Sequence, residues 1–516
     1  KPWLLNVLMT GVGALLMGWM LGFQVLSPEQ TPVLLSVISM LGLGIYVGAI
    51  PGLSVTMAVS ILISFTFSWD INNALCLMIG IYMGGVYGGS RTAILLNIPG
   101  APAAIVTALD GYPLAKKGLA GQAIGLSTIM SVIGGFVGIG VLAVAAPAVS
   151  DFALLFQPRD YLLLGIMGIT LVGALSGRSL IKGIFAGALG IGIGTVGLDP
   201  LTAEERFTFG YVELWSGISP VVVMIGLFGL TEALVQLHNL DKAMIKQKVD
   251  KIVPKFRDIK KHLPLSLQSS FIGVAIGALP GTGGEIASLM AYDHARRVTK
   301  NPEVPFGEGA KEGLIAAESS NNAAVGGAFI PMLTLGIPGD AVTAVFIGAL
   351  FIHGVNPGPL LIETRPDMFW FIVGTLLLAN VFLLIFGLSG VKVFSKIIQC
   401  PKGILIPIIF LLSIVGAYSI HNSVSDIWWM LAFGVMGYFM RRHGYPLGPI
   451  ILGVILSHLM DENWRRAILA ERNDLGAFWA NLFSSPLSLT LLLIIVFVAL
   501  SSTPFWRILK QKISKK

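Results

Sequence analysis

Four Pro-Gly steps stand inside apolar stretches of the chain: Pro51-Gly52, Pro99-Gly100, Pro280-Gly281 and Pro338-Gly339. Proline interrupts a helix, and the glycine after it permits a tight turn and close approach of a ligand. A helix that starts at such a break offers free N–H groups and about half a positive charge. A carboxylate inside a bilayer needs that kind of compensation, because a bare charge in hydrocarbon is costly. Four converging helix starts suit a substrate with several carboxylates. A simple kink in a packed helix is the alternative for any single step.

Polar residues near the breaks extend the set. Ser54, Thr56 and Thr282 carry hydroxyl donors, and Gly283 and Gly284 follow the third break directly. The substrate-binding candidates are Pro51, Gly52, Ser54, Asn97, Pro99, Gly100, Gly281, Thr282, Gly283, Gly284, Asn322, Pro338 and Gly339. A dense polar run, Glu318-Ser319-Ser320-Asn321-Asn322, interrupts an apolar region. Hydroxyls, amide oxygens and unwound carbonyls ligate Na⁺ in discontinuous helices. Ser90, Thr92, Ser319, Ser320, Asn321 and Asp340 are therefore the cation-coupling candidates, with Ser319 and Asn321 as the Na⁺ ligands. Asn321 and Asn322 equally suit hydrogen bonds between helices. Arg91 can neutralise a carboxylate or snorkel to the interface. Asp340 can hold a proton or Na⁺, or cap a helix.

These residues need a membrane scaffold to position them. The 516 residues are 55% hydrophobic and only 12% charged, with mean hydropathy +0.82. A soluble domain carries about 25% charged residues. Apolar runs near a bilayer span cover residues 33–50, 124–146, 179–198, 221–237, 369–388, 404–417, 428–440 and 487–500. With the broken segments they predict about 12 membrane elements. Strand-like alternation is missing, which disfavours an outer-membrane barrel. The expected fold is an all-α polytopic membrane protein with two structural repeats, read as inverted, built from re-entrant hairpins and broken helices.

Charge distribution gives sidedness. Lysines and arginines crowd residues 242–261, with smaller clusters at Lys116-Lys117, Arg296-Arg297, Arg441-Arg442 and residues 510–516. The positive-inside rule reads them as cytoplasmic, with the C-terminus on that side. Residues 199–206 read as external. The basic clusters flank apolar segments, so they argue for lipid rather than nucleic acid as the neighbour.

The basic clusters at 260–261 and 296–297 both read as cytoplasmic, yet the chain between them is too short for two spans, and a single span would put them on opposite sides. Two full spans need about 40 residues. A re-entrant hairpin with its tip at Pro280-Gly281-Thr282-Gly283-Gly284 satisfies both clusters. The first half carries a counterpart. Gly48-Ala49-Ile50-Pro51-Gly52 resembles Gly277-Ala278-Leu279-Pro280-Gly281. Gly88-Gly89 followed by Asn97-Ile98-Pro99-Gly100 resembles Gly326-Gly327 followed by Gly336-Ile337-Pro338-Gly339. Gly111-Tyr112-Pro113-Leu114 pairs with the segment from Gly354 to Leu360. Paired Gly/Pro breaks in two halves point to a transporter binding site.

The expected organisation is a first membrane helix (1–30), repeat 1 (31–118), scaffold helices (119–240), a basic cytoplasmic connector (241–262), repeat 2 (263–361) and C-terminal scaffold helices (362–516).

The same residues resemble the large membrane subunit of the tripartite tricarboxylate transporter family of bacteria. The likeness runs through AIPGLS at 49–54, GIYMGGVYGGSRTAILLNIPGAP at 80–102 and TALDGYPLAKKG at 107–118. It resumes with ALPGTGG at 278–284, FGEGAKEGLIAAESSNNAA at 306–324, PMLTLGIPGDA at 331–341 and HGVNPGPLL at 353–361. Glu462-Asn463-Trp464-Arg465-Arg466 and Asn473-Asp474 resemble the family's ending. Ser54, Ala317 and Asp340 depart from the family pattern, where Gly, Pro and a small neutral residue are usual.

The resemblance implies import of tricarboxylates such as citrate, or related organic acids, across the bacterial inner membrane. It implies an ion gradient of Na⁺ or H⁺ as driving force and no resident cofactor. It also implies two partners, a small membrane subunit of about four helices and a periplasmic solute-binding protein.

Two other classes stay open. An organic-anion channel would use similar half-helices without coupling. An intramembrane enzyme would need a nucleophile and a base, and no Ser–His or paired-aspartate motif is evident. Two cysteines and seven histidines form no disulfide or His-Glu-x-x-His pattern. Gly192, Gly194 and Gly197 match the dinucleotide spacing by letters but lie in an apolar span after no strand.

Overall fold

The structure, a computed structural model, describes residues 31–50, 53–97, 100–175, 179–199, 202–238, 252–254, 256–390 and 402–501. The expected first helix, the lysine-rich part of the connector up to Lys251, Cys400 and the C-terminal lysines lie outside the described residues, as do Pro51, Gly52 and Pro99.

The chain is α-helical nearly throughout. Repeat 1 opens with α1 (Thr31–Gly48), followed by α2 (Val55–Ile63). Ser54 caps α2 by accepting the Met57 amide at 3.0 Å. Next comes α3 (Ile71–Leu96), whose start is capped by Asp70, and then α4 (Ala104–Leu114). A π-turn at Ala115–Leu119 leads into α5 (Ala120–Ala153). The middle scaffold continues with α6 (Pro158–Leu175) and α7 (Leu180–Gly194). The apolar run read as 179–198 stops at Gly194, where the chain turns into β1 (Gly197–Leu198), paired antiparallel with β2 (Glu205–Arg206). These are the only strands among the described residues. Then follow α8 (Pro220–Met224), a π-turn (Ile225–Leu230) and α9 (Thr231–His238).

Repeat 2 repeats the plan. A long α10 (Phe256–Gly277) runs to a tip and returns as α11 (Gly283–Val298). The two arms pack on each other and form a helical hairpin. The helices α12 (Lys311–Leu335) and α13 (Ala341–Ile352) follow. The remaining scaffold is α14 (Pro359–Thr364), α15 (Pro366–Ser389), α16 (Lys402–His421), α17 (Val424–Arg442), α18 (Gly448–Ala470), α19 (Leu475–Ser484) and α20 (Pro486–Ser501).

The two halves share their packing. The helix α1 lies on α3 as α10 lies on α12. A Cβ on Gly88 would strike the carbonyl oxygen of Ile45, and one on Gly327 would meet that of Val274 at 2.5 Å. Gly88 is thus the partner of Gly327, one residue away from the pairing suggested by the letters. The helix α3 ends on Asn97 at φ 55°, and α12 ends on Gly336 at φ 69°. Both residues are left-handed C-caps, a conformation that glycine and asparagine adopt readily. Just beyond, Gly100 lies against the carbonyl of Gly48 and Gly339 against that of Gly277. Neither position has room for a side chain, so Gly100 and Gly339 are each seated on the end of their own hairpin arm.

Among the described residues, Ile71–Leu96, Ala104–Ala153, Pro220–Leu237 and Pro366–Ser389 are long and apolar enough to cross a bilayer. The pair α19–α20, bent by 87°, passes the same test jointly. Shorter apolar helices make up much of the rest, as a fold of broken helices requires. The architecture is all-α and polytopic.

Candidate functional site

Four helix starts line one cavity of about 420 Å³. Ser54, Val55 and Thr56 open α2, and Ala101, Pro102 and Ala103 lead into α4. Thr282 to Glu285 open α11, and Asp340, Ala341 and Val342 open α13. The two repeats contribute in matched positions. Tyr82 and Val86 on α3 face the space as Asn321 and Val325 do on α12. Elements outside the two repeats close the cavity with Val172, Leu227, Phe228, Glu232, Arg441, residues 445–448 and Leu452.

Each start has a local cause. The Asp340 carboxylate accepts the Thr343 amide at 2.7 Å, and the Thr343 hydroxyl accepts the Asp340 amide at 2.9 Å, a reciprocal cap. Tyr82 donates its hydroxyl to the same carboxylate, tying repeat 1 to repeat 2 across the cavity. At the second hairpin tip Gly281 adopts φ +73°, and its amide donates to the carbonyl of Pro338 at 3.3 Å. The Thr282 hydroxyl donates to the carbonyl of Leu279 at 3.0 Å, which spends that donor on the turn itself.

The candidates named from sequence separate into three groups. Ser54, Gly281, Thr282, Gly283, Gly284, Asn321 and Asp340 line the cavity. Pro51, Gly52 and Pro99 lie outside the described residues. The others are placed elsewhere. Asn97 is an exposed C-cap. Gly100 and Gly339 pack against backbone behind the lining residues, and Pro338 supports the tip. Asn322 is fully buried, donating to the carbonyl of Glu318 at 3.0 Å. Thr92 bonds the carbonyl of Gly89 at 3.1 Å. Ser319 pairs with Ser266 of α10 at 2.7 Å, whereas Asn321 faces the cavity. Residues two apart lie on opposite sides of a helix, so the structure does not bring Ser319 and Asn321 together. Ser320 is buried away from the cavity, and Ser90 is buried beside Glu318. Arg91 is also buried, donating to Tyr87 at 2.6 Å and to the carbonyl of Gly387 at 2.8 Å.

Sequence reasoning missed Tyr82, Glu285, Glu232 and Arg441. Aligning the two repeats on their Ile-Pro-Gly segments would have found Tyr82, because it takes the place of Asn321. The position of Glu285, one residue after Gly283-Gly284, is a second missed signal. Arg441 reads in sequence as part of a boundary cluster, but here it forms an ion pair with Glu232 at the cavity wall.

The model of the tripartite tricarboxylate transporter TctA family matches residues 34–452. The chain belongs to the tripartite tricarboxylate transporter TctA family. Two proteins of Agrobacterium vitis are similar to this TctA-family chain. An uncharacterized 52.8 kDa protein in the TAR-I ttuC' 3'region is 36% identical over 440 residues, covering 85% of this chain and 88% of its own length. An uncharacterized protein in the TAR-II ttuC' 3'region is 38% identical over 228 residues, covering 44% of this chain and 93% of its own length. No solved structure matches. As a TctA-family member the chain is a multi-pass membrane component of a tripartite transporter. Such a transporter also comprises a small membrane subunit and a solute-binding protein.

The charge balance of this TctA-family cavity is mixed. Glu232 and Arg441 offset one another, and the carboxylates of Glu285 and Asp340 remain. Against them stand the four N-terminal helix ends and the buried amide nitrogen of Asn321, which has no hydrogen-bond partner. The cavity therefore suits a carboxylate whose charge is partly offset more readily than a bare polyanion.

Proposed function

We propose that the protein is a secondary active importer of organic polycarboxylates, the tricarboxylates of the family name or related acids, coupled to Na⁺ or H⁺. The convergence of four helix N-termini from two matched repeats on one cavity carries this reading. Each end contributes partial positive charge and free amides, and a cavity of this size suits a small organic acid. The acidic side chains beside those ends favour coupling, since a co-transported cation reduces the repulsion a polyanion would meet there.

Alternating access follows as the mechanism, with α1–α4 and α10–α13 as the moving unit and the other helices as scaffold. The hairpin tips are re-entrant, and the repeats are inverted with respect to the inner membrane. The solute-binding protein delivers cargo from the periplasmic side, and the small subunit of about four helices packs on the scaffold.

The test is uptake of labelled citrate and other organic acids into inside-positive and inside-negative vesicles. It is run with and without the cognate binding protein, under Na⁺ or proton gradients. Saturable accumulation that needs a gradient is the expected result. Passive, non-saturating flux would instead establish a channel, and chemical conversion of the acid an enzyme.

A further inference from the structure

One carboxylate outside the cavity has no cationic partner among the described residues. Glu318 on α12 is fully buried. Thr107 of α4 donates to its Oε1 at 2.5 Å, and Ser131 of α5 donates to its Oε2 at 2.9 Å. Ser127 of α5 also adjoins the carboxylate. So does Ser90 of α3, but its geometry closes no hydrogen bond, and its buried oxygen is left without a partner. Two carboxylate oxygens and four hydroxyls from four helices thus form a nest of hard oxygen donors.

The charged groups on the surrounding helices do not complete it. Arg91 on α3 turns its guanidinium to Tyr87 and the carbonyl of Gly387. Asp110 on α4 is held by the amides of Gly307, Gly309 and Ala310. Glu312 on α12 faces His262. Among the described residues no ion pair reaches Glu318. An ionisable group inside a membrane bundle is rare and is a functional-site candidate by default.

The nest is also placed for coupling. Ala103 and Asn321 line the cavity, Thr107 follows Ala103 by four residues, and Glu318 precedes Asn321 by three. Each step is about one helical turn, roughly 5 Å. Thr107 belongs to repeat 1 and Glu318 to repeat 2, so a cation held there bridges both.

We infer that Glu318, with Ser90, Thr107, Ser127 and Ser131, binds the coupling cation one turn behind the cargo cavity. The inference rests on the coupled-carrier reading. Both a proton and Na⁺ suit an oxygen-only nest, and the test separates them.

The full chain is purified with its small membrane subunit, and its melting temperature is followed in two series. One raises NaCl against choline chloride at fixed pH; the other lowers pH without Na⁺. A ligand that binds only the folded state raises the melting temperature. Wild-type protein is expected to respond in one series, which identifies the cation. Glu318→Gln is expected to lose that response and the matching gradient-driven uptake by about tenfold or more. A response in Glu318→Gln equal to wild type would overturn the inference. A buried residue of purely structural value would lower the melting temperature but leave its cation dependence intact, which also overturns it. If Glu318→Gln does not reach the membrane, Ser131→Ala decides. A several-fold rise in the half-saturating cation concentration supports the site, and no change rejects it. Wild-type uptake indifferent to both gradients would overturn the coupled-carrier reading along with this one.

Discussion

The carboxylate of Asp110 in repeat 1 accepts the backbone amide of Gly309 in repeat 2 at 2.9 Å. The same oxygen takes the amides of Gly307 and Ala310, both at 2.8 Å, and the second oxygen takes the Tyr292 hydroxyl at 2.9 Å. One side chain therefore holds the loop between α11 and α12, at φ +111° for Gly309, onto the end of α4. The two repeats, far apart in the chain, are fastened together at this point.

Replacing that side chain should loosen the fastening. Asp110→Ala leaves three amides without their acceptor, those of Gly309 and Ala310 on buried residues and that of Gly307 on an exposed one. Hydrogen bonds to a charged group contribute about 1.5–3 kcal/mol each and do not add fully, so a total loss of about 3 kcal/mol is expected. The melting temperature of the purified chain reads the loss, and Asp110→Asn should fall between the two. A melting temperature equal to wild type for Asp110→Ala would show that the loop is held by other contacts.

Gly281 carries the tip of the second hairpin. Its φ of +73° and the Val172 side chain beside its α-carbon both exclude a larger residue. Gly281→Ala should destabilise by about 2 kcal/mol or more from the left-handed backbone and the crowding together. Uptake should fall while membrane insertion stays normal. Wild-type uptake would mean that the tip geometry does not matter to transport.

Tyr82→Phe removes the hydroxyl that donates to Asp340 across the cavity. One hydrogen bond to a charged carboxylate contributes about 1.5–3 kcal/mol. The Asp340 charge becomes less compensated, so an anionic cargo should bind roughly tenfold more weakly at 1.4 kcal/mol per decade. The half-saturating cargo concentration in vesicle uptake measures it. A fall in that concentration would contradict an anionic cargo.

Glu285→Gln tests cargo charge from the other side. Removing a like charge from the cavity should strengthen binding of a polycarboxylate by on the order of 1 kcal/mol, a several-fold change. Weaker binding instead would show that the cargo presents a positive group, or a bound cation, to Glu285.

Much of this protein is legible without coordinates. Its composition excludes a soluble fold, because too few charged residues exist to cover a water-facing surface. The described apolar runs are helical, apart from the end of 179–198, which turns into a strand, and the Pro-Gly steps mark the helix starts at 281–285 and 338–341. The matched order of these steps exposes the repeat, because the same local backbone problem is solved twice with the same residues. Asn97 and Gly336 illustrate this, since both end a helix in the left-handed region.

The facing of side chains was decided by tertiary structure alone. The helices α3 and α12 are buried on nearly every side, so no apolar stripe tells one face from another. Only packing determines that Asn321 turns to the cavity, Ser319 to α10 and Glu318 to α5. Tyr82 meets Asp340, and Thr107 meets Glu318, across hundreds of residues of intervening chain. Such contacts depend on the rotation of whole helices about their axes, which close backbone approach at small residues sets and local spacing does not encode.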